Sequence, residues 1–198
     1  MSYEENNTED THTSTESDQP ERNSLWEIAR FALIALIIVL PIRWYVAQPF
    51  IVSGASMEET FHNNDYLIVD QISYRFEEPK RGDVIIFKYP RDHSKYFIKR
   101  LIGLPGDTVV IEGSHVIIKN DENPEGTKLD ESYAAMGENR FDQTTELGPD
   151  EYFVMGDNRD HSSDSRVWGI LKKEEIVGRA VVRLLPPKGL GLMPGAIE

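Results

Sequence analysis

Three short segments of the sequence carry side chains that could do chemistry. The first, FIVSGASMEETF, holds Ser56 beside small residues that allow another backbone to approach closely. The second, YFIKRLIGLPGD, holds Lys99 in an apolar run, where strand alternation would place Phe97, Lys99 and Leu101 on one face. Burial there would favour the neutral amine, which can accept a proton. A hydroxyl and a neutral amine together suit nucleophilic catalysis.

Each of these segments, taken singly, also has an ordinary structural explanation. A serine beside glycine usually marks a surface turn. A lysine within an apolar strand can protect an exposed sheet edge against aggregation. The chemical hypothesis therefore depends on the two residues occurring together with a third segment that could support them.

That third segment is a loop dense in charged and hydrogen-bonding side chains, GDNRDHSSDSRVWG at residues 156–169. Its spacing argues against calcium binding. A calcium loop starting at Asp160 would need Gly at its sixth position and Glu at its twelfth, where this chain has Ser165 and Leu171. The residues therefore predict no metal site here, and an ion pair within the loop is the simpler interpretation.

Other hydrolase arrangements are alternatives. A Ser-His-Asp site could recruit His161 or His62; neither lies in a GxSxG elbow, and spacing alone leaves the triad open. A penicillin-binding enzyme would need Lys three positions after Ser56, where this chain has Glu59. Cysteine is absent, which excludes thiolate catalysis, disulfides and Cys-ligated zinc.

In their order along the chain and in their residue motifs, the three segments resemble the bacterial type I signal peptidases, also called leader peptidases. The resemblance covers residues 25–185 and rests on the motifs GxSM, KRxxGxPGD and GDNRDxSxDSRxWG. It implies a membrane-bound serine endopeptidase that removes N-terminal signal peptides from exported preproteins. It assigns Ser56 as the nucleophile and Lys99 as the general base, and it implies no metal or organic cofactor.

The resemblance also implies supporting roles around this pair. Met57 is the residue that follows the nucleophile, and Ser162 resembles the serine that hydrogen-bonds the catalytic lysine. Two pairs of opposite charges would shape the site: Asp164 with Arg166, and Asp157 with Arg100.

Two positions depart from the family pattern. Proline commonly stands where this chain has Glu59 before Thr60, which puts the local turn in doubt. In one branch, a serine two residues before the nucleophile donates its hydroxyl to the oxyanion, but that position is Gly54 here. The sequence is similar to the Gram-positive branch, so we expect the Ser56 backbone N–H to carry more of the oxyanion binding.

Short runs rich in Val, Ile, Phe and Tyr follow one another from Asp65 onward and predict strands. They are YLIV at 66, DVIIFKY at 83, YFIKRLI at 96, TVVIE at 108, HVIIK at 115, EYFVM at 151 and AVVRLL at 180. Turns rich in Gly and Pro separate them, and a helix is indicated only over residues 171–176. This pattern predicts an all-β sandwich or barrel over residues 48–198, with a polar insertion at 120–147, and the family resemblance implies that it is the catalytic domain.

The first 47 residues differ in composition from the rest. Residues 1–24 are acidic and polar, which predicts a disordered tail. The uncharged run FALIALIIVLPI follows, and we predict a single transmembrane helix over residues 25–47, of which Leu25 to Val46 would span about 33 Å. A cleaved secretory signal is the alternative, but its start should be basic, whereas Glu21 and Glu27 follow the acidic tail here.

Charge gives a small bias for the orientation of this anchor. Arg22 and Arg30 lie on its N-terminal side and Arg43 lies near its other end, which favours a cytoplasmic N-terminus. We expect a single-pass cell-membrane protein whose residues 48–198 are extracytoplasmic. The expected partners are exported preproteins and membrane lipid, whereas the formal net charge of -13 argues against nucleic acid.

Two further functions use a similar fold or site. Self-cleaving repressors share a Ser-Lys dyad, but they would need a DNA-binding domain where this chain has an apolar run. A non-catalytic, membrane-tethered paralogue or binding module would keep the fold while losing Ser56 or Lys99, and both are present.

Overall fold

The computed structural model describes residues 24–41, 46–135 and 141–196. The chain divides into two compact units, residues 1–39 and residues 40–198, and each is described by itself. The predicted disordered tail lies outside the described residues except for Ser24.

Helix α1 (Ser24–Pro41) contains the described N-terminal residues. Glu27 lies in its first turn, where a negative charge is favourable near the helix N-terminus. Large apolar side chains such as Phe31 and Ile37 are exposed along it. No helix within the described ranges is long and apolar enough to cross a membrane. The predicted anchor over residues 25–47 includes residues 42–45, which lie outside the described ones, and it stays a prediction.

The C-terminal unit is built from strands. They are β1 (Ala47–Ile51), β2 (Tyr66–Asp70), β3 (Val84–Tyr89), β4 (Asp92–Gly103), β5 (Thr108–Gly113), β6 (His115–Lys119), β7 (Thr127–Lys128), β8 (Phe141–Glu146), β9 (Glu151–Met155), β10 (Leu171–Lys172), β11 (Ile176–Leu185) and β12 (Gly191–Leu192). Their pairings are antiparallel. The predicted β architecture is confirmed in this coarse form.

These strands form two sheets. The larger one has the order β1-β2-β11-β3-β4-β9-β10, with β12 paired to β11, and the smaller one has the order β7-β6-β5-β8. The helix predicted over residues 171–176 is wrong, because β10 and a 3₁₀ turn at Lys173–Glu175 occupy most of it. A short helix, α2 (Ser165–Trp168), lies just before it and begins at Asp164, whose carboxylate accepts the N–H of Arg166.

Strand β3 lies in the interior of the larger sheet and is covered on both faces. Four consecutive side chains, Val84–Phe87, are buried. The first and third pack in one cluster with Met57 and Phe61, and the second and fourth pack in another with Leu101 and Trp168. The segment that carries Ser56 and the loop that ends near Trp168 therefore pack against opposite faces of this strand.

The smaller sheet contains the stretch predicted as a polar insertion. Residues 120–147 contribute β7 and β8, and their apolar contribution to the core of this sheet comes from Leu129 and Leu147. Most of that core comes from β5 and β6, where Val109 and Val116 are buried.

Candidate active site

Ser56 and Lys99 lie in hydrogen-bonding contact. Lys99 Nζ is 2.7 Å from Ser56 Oγ, and it also donates to the Ile98 carbonyl oxygen at 3.0 Å. Across the first contact a neutral amine can accept the hydroxyl proton, as a general base does. The nucleophile and the base assigned from the sequence are thus brought together.

A short closed loop after β1 presents Ser56. The Val52 N–H donates to the Asp65 carbonyl oxygen at 2.9 Å, which closes the base of the loop. Inside the loop, the Phe61 N–H donates to the Met57 carbonyl oxygen at 2.7 Å, and both of these side chains are buried. Because the side chain that follows Ser56 is held in the core, the serine is fixed toward the groove.

Lys99 lies on β4 opposite Ile85 of β3, and it is only 4% exposed. Burial lowers the pKa of its amine to about 8 from the ordinary 10.5, although the charges of Asp164 and Asp157 act in the opposite direction. The amine also lies 5.3 Å from the centre of the Phe97 ring. An apolar environment of this kind disfavours the ammonium form.

Both pairs of opposite charges assigned from the sequence are in contact. Arg166 binds both oxygens of Asp164 at 2.8 Å, and Arg100 binds both oxygens of Asp157 at 2.8 and 2.6 Å. Burial raises the pKa of Asp164, but the bonds from Arg166 and the Gly156 N–H lower it by more than burial raises it. The pKa of Asp164 therefore lies below the ordinary value. Arg166 therefore favours the charged form of Asp164, and Arg100 binds Asp157 through both of its oxygens in the same way.

Ser162 and Gly54 were also singled out from the sequence, and neither is hydrogen-bonded to Lys99 in the described part of the chain. Ser162 Oγ is buried, and among the described residues it makes no hydrogen bond to Lys99, so the expected bond is not formed. A side chain on Gly156 would collide with it and with the Ser56 carbonyl oxygen. Gly54 has a φ of +99°, which suits glycine, and its N–H donates to Asn63 Oδ1 at 3.1 Å.

Comparison with models of protein families shows which family this chain belongs to. The family model described as "Signal peptidase, peptidase S26" matches residues 25–185. The chain belongs to this signal peptidase family. The family prediction is confirmed, and with it the predicted class of enzyme, a serine endopeptidase of the signal peptidase I type.

Several proteins similar to this signal peptidase chain carry the same description. A probable signal peptidase I-2 of Synechocystis sp. is 37% identical over 94% of this chain and 85% of its own. Signal peptidase I of Leptolyngbya laminosa is 38% identical over 88% of this chain and 87% of its own. Signal peptidase I S of Bacillus subtilis is 35% identical over 80% and 88%. The Gram-positive-like branch stays a prediction.

A solved structure is also similar to this signal peptidase. The crystal structure of a signal peptidase I from Enterococcus faecalis V583 matches 52% of this chain and 97% of its own, with 34% identity and a TM-score of 0.44.

Further residues of the signal peptidase site were not assigned from the sequence. Thr60 Oγ1 donates to Asp157 Oδ2 at 2.5 Å, and the Gly195 carbonyl oxygen accepts from Arg100 at 2.5 Å. The Asn158 N–H donates to the Ser56 carbonyl oxygen at 3.1 Å. Thr60 lies in the segment that contains Ser56 and Asn158 lies in the GDNRDxSxDSRxWG motif, whereas no signal in the sequence indicates Gly195.

The alternative triad receives no support from the contacts. His161 lies in the groove beside Ser56, but in the described part of the chain neither its ring nor that of His62 is hydrogen-bonded to Ser56. His62 contributes its backbone N–H to Asp65 instead.

Glu59, where the family commonly has proline, has a φ of +89°. Left-handed backbone costs a non-glycine residue roughly 1–2 kcal/mol, and proline is locked near a φ of −65°. We expect Glu59→Pro, which restores the family residue, to destabilise the C-terminal unit and to lower turnover, whereas Glu59→Gly should stabilise it slightly. Urea unfolding together with the cleavage rate checks both. A Glu59→Pro protein as stable and active as the original would contradict this.

Proposed function

We propose that this chain is a membrane-bound endopeptidase that removes N-terminal signal peptides from exported preproteins, with Ser56 as the nucleophile and Lys99 as the general base. The 2.7 Å contact between Lys99 Nζ and Ser56 Oγ carries the proposal. The relatives named as signal peptidases support the substrate class. A non-catalytic paralogue would have no need of this contact.

Neutral Lys99 takes the hydroxyl proton as Ser56 Oγ attacks the carbonyl carbon of the scissile peptide. The tetrahedral intermediate then loses the amine, which leaves with the proton from Lys99, and an ester to Ser56 remains. Water, deprotonated by Lys99, attacks this ester, and Lys99 returns the proton to Ser56 Oγ as the signal peptide leaves with a free carboxylate.

The backbone N–H of Ser56 is the proposed donor to the oxyanion. Gly54 has no hydroxyl to offer, and its own N–H is engaged by Asn63. By contrast, the Ser56 N–H has no acceptor among the described residues. A free N–H next to the nucleophile is suited to binding the negative charge that develops on the substrate carbonyl oxygen.

The groove beside Ser56 suits an extended peptide with small side chains. It has a volume of about 310 Å³, and its apolar lining includes Phe50, Val52, Ile86 and Ile98. Phe50 packs edge-on against Tyr96 with ring centres 5.4 Å apart, which limits the width of the groove. Strand β1 is an edge strand, so a substrate backbone could pair beside it.

Membrane attachment is also part of the proposal. The apolar side chains exposed along α1 support a membrane anchor within residues 25–47, and bound membrane lipid would cover them. The proposed topology has a cytoplasmic N-terminus and an extracytoplasmic catalytic unit, because signal peptides reach their cleavage site outside.

The first experiment tests the dyad. The purified protein is incubated with an exported precursor, and the new N-terminus is identified. We expect Ser56→Ala and Lys99→Ala each to lose nearly all turnover and the double variant little more, because the two residues act as one proton-transfer unit. Lys99→Arg should be equally inactive, because a guanidinium stays protonated near neutral pH. Substantial cleavage by Lys99→Arg would contradict the mechanism.

The pH dependence follows from the lowered pKa of Lys99. Its neutral fraction rises as the pH passes through about 8. At pH 7 about one tenth of the molecules would hold a neutral base. We therefore expect kcat/KM to increase with pH and to level off above this pKa. A profile already level at pH 7 would show that Lys99 is not the titrating base.

Substrate size is tested with a single precursor. Replacing alanine by leucine or phenylalanine at the residue before the cut should lower kcat/KM about 100-fold, because a shallow pocket rejects the larger side chain. The same replacement two residues beyond the cut is the control and should have little effect. Equal cleavage of both forms would contradict the pocket model.

Topology is tested in intact protoplasts that carry a tag on residue 1. Added protease should digest the catalytic unit and spare the tag. The reverse pattern would refute the proposed orientation.

A further inference from the structure

Residues 129–135 follow β7 of the smaller sheet and contact the loop of residues 156–159, and we call this segment the strap. It follows β7 within the polar stretch, and it contains no long helix or strand. The strap contacts the catalytic loop, residues 156–159, and the neighbouring Arg100 at three successive points.

The first contact is a buried ion pair. Glu131 Oε1 lies 2.5 Å from Arg159 Nη2, and these side chains are only 1% and 6% exposed. Arg159 Nε donates in turn to the Gly156 carbonyl oxygen at 3.0 Å. A charge-assisted bond of this kind is strong and directional. Glu131 therefore holds the guanidinium that binds the first residue of the catalytic loop.

The second contact is an aromatic ring over a guanidinium. The centre of the Tyr133 ring lies 4.1 Å from the guanidinium carbon of Arg100. Arg100 is fully buried and is bound at its edge by both oxygens of Asp157. Cation–π attraction is strongest where water is excluded. Tyr133 thus fixes the plane of the side chain that orients Asp157.

The third contact is through the backbone. The Ala135 N–H donates to the Asp157 carbonyl oxygen at 2.9 Å, and the Ala135 carbonyl oxygen accepts the Arg159 N–H at 3.4 Å. These two bonds form a parallel bridge that flanks Asn158 on both sides. The direction of the Asn158 N–H is therefore fixed, and this N–H donates to the Ser56 carbonyl oxygen at 3.1 Å.

We propose that the strap is a positioning element of the peptidase: it holds the catalytic loop so that Asn158 fixes the backbone of Ser56 in line with Lys99. Glu131 and Tyr133 are its positioning residues, and neither touches the reacting atoms. The inference rests on the proposed roles of Ser56 and Lys99. Displacing a reacting group by about 1 Å can cost roughly 100-fold in rate, so a loosened strap should reduce turnover rather than substrate binding.

The test counts active sites and turnover separately in the full-length protein. A serine-directed acylating probe titrates Ser56, and kcat per titrated site and KM are then measured with one precursor. We expect Tyr133→Leu and Glu131→Gln to lower kcat per site about tenfold or more, with KM within about twofold of the original. Tyr133→Phe keeps the ring and should stay within twofold in both constants. Glu125→Gln removes a carboxylate at an exposed position four residues before the strap. It should also leave both constants within twofold of the original.

The outcomes separate positioning from simple support of the fold. If Tyr133→Leu and Glu131→Gln lower the fraction of titratable sites or the unfolding midpoint, but leave kcat per site unchanged, the proposal is wrong. If Glu131→Gln does not fold, Glu131→Asp keeps the charge but retracts the carboxylate, and an unchanged kcat per site would equally overturn the proposal. Ser56→Ala is run alongside: cleavage by that variant would overturn the proposed function itself, independently of the strap.

Discussion

The burial of one amine next to one hydroxyl is the constraint on which the rest of the site depends. In the proposed mechanism Lys99 must lose its proton near neutral pH, and desolvation lowers its pKa to about 8. That shift corresponds to roughly 3 kcal/mol in favour of the neutral form. Yet Asp157 and Asp164 lie near enough to oppose it. Each of these carboxylates is bound by an arginine through both oxygens, which offsets much of its attraction for a proton on Lys99.

Sheet pairing explains how distant segments meet at this amine. Strand β4 lies between β3 and β9, and Arg100 pairs with Met155, the last residue of β9. The catalytic loop therefore begins directly beside Lys99. The loop that carries Ser56 comes from the other side of the sheet, where Met57 packs against β3. The bond from the Asn158 N–H to the Ser56 carbonyl oxygen joins the two loops.

Local patterns predicted the strands well, because their alternation and turn residues are properties of neighbouring positions. The residues of the dyad could be found for the same reason, since each lies within a short motif. The helix expected over residues 171–176 failed because a four-residue helix starting from Asp164 precedes it and Leu171 pairs with Tyr152 in β10. The strap could not be predicted, because Glu131 and Tyr133 find their partners 28 and 33 positions away in a stretch without periodicity.

The placement of buried charge indicates what these contacts are for. In the described part of the chain, six of the ten buried polar or charged residues belong to the site and the strap: Lys99, Arg100, Glu131, Asp157, Arg159 and Asp164. Buried ion pairs are poor sources of stability, because desolvation offsets most of their attraction, and well-packed apolar residues often serve as well. Stability alone does not account for such a concentration. In the proposed mechanism, what apolar residues could not supply is a set of fixed, paired charges that orients the loop carrying Ser56, while burial favours the neutral form of Lys99.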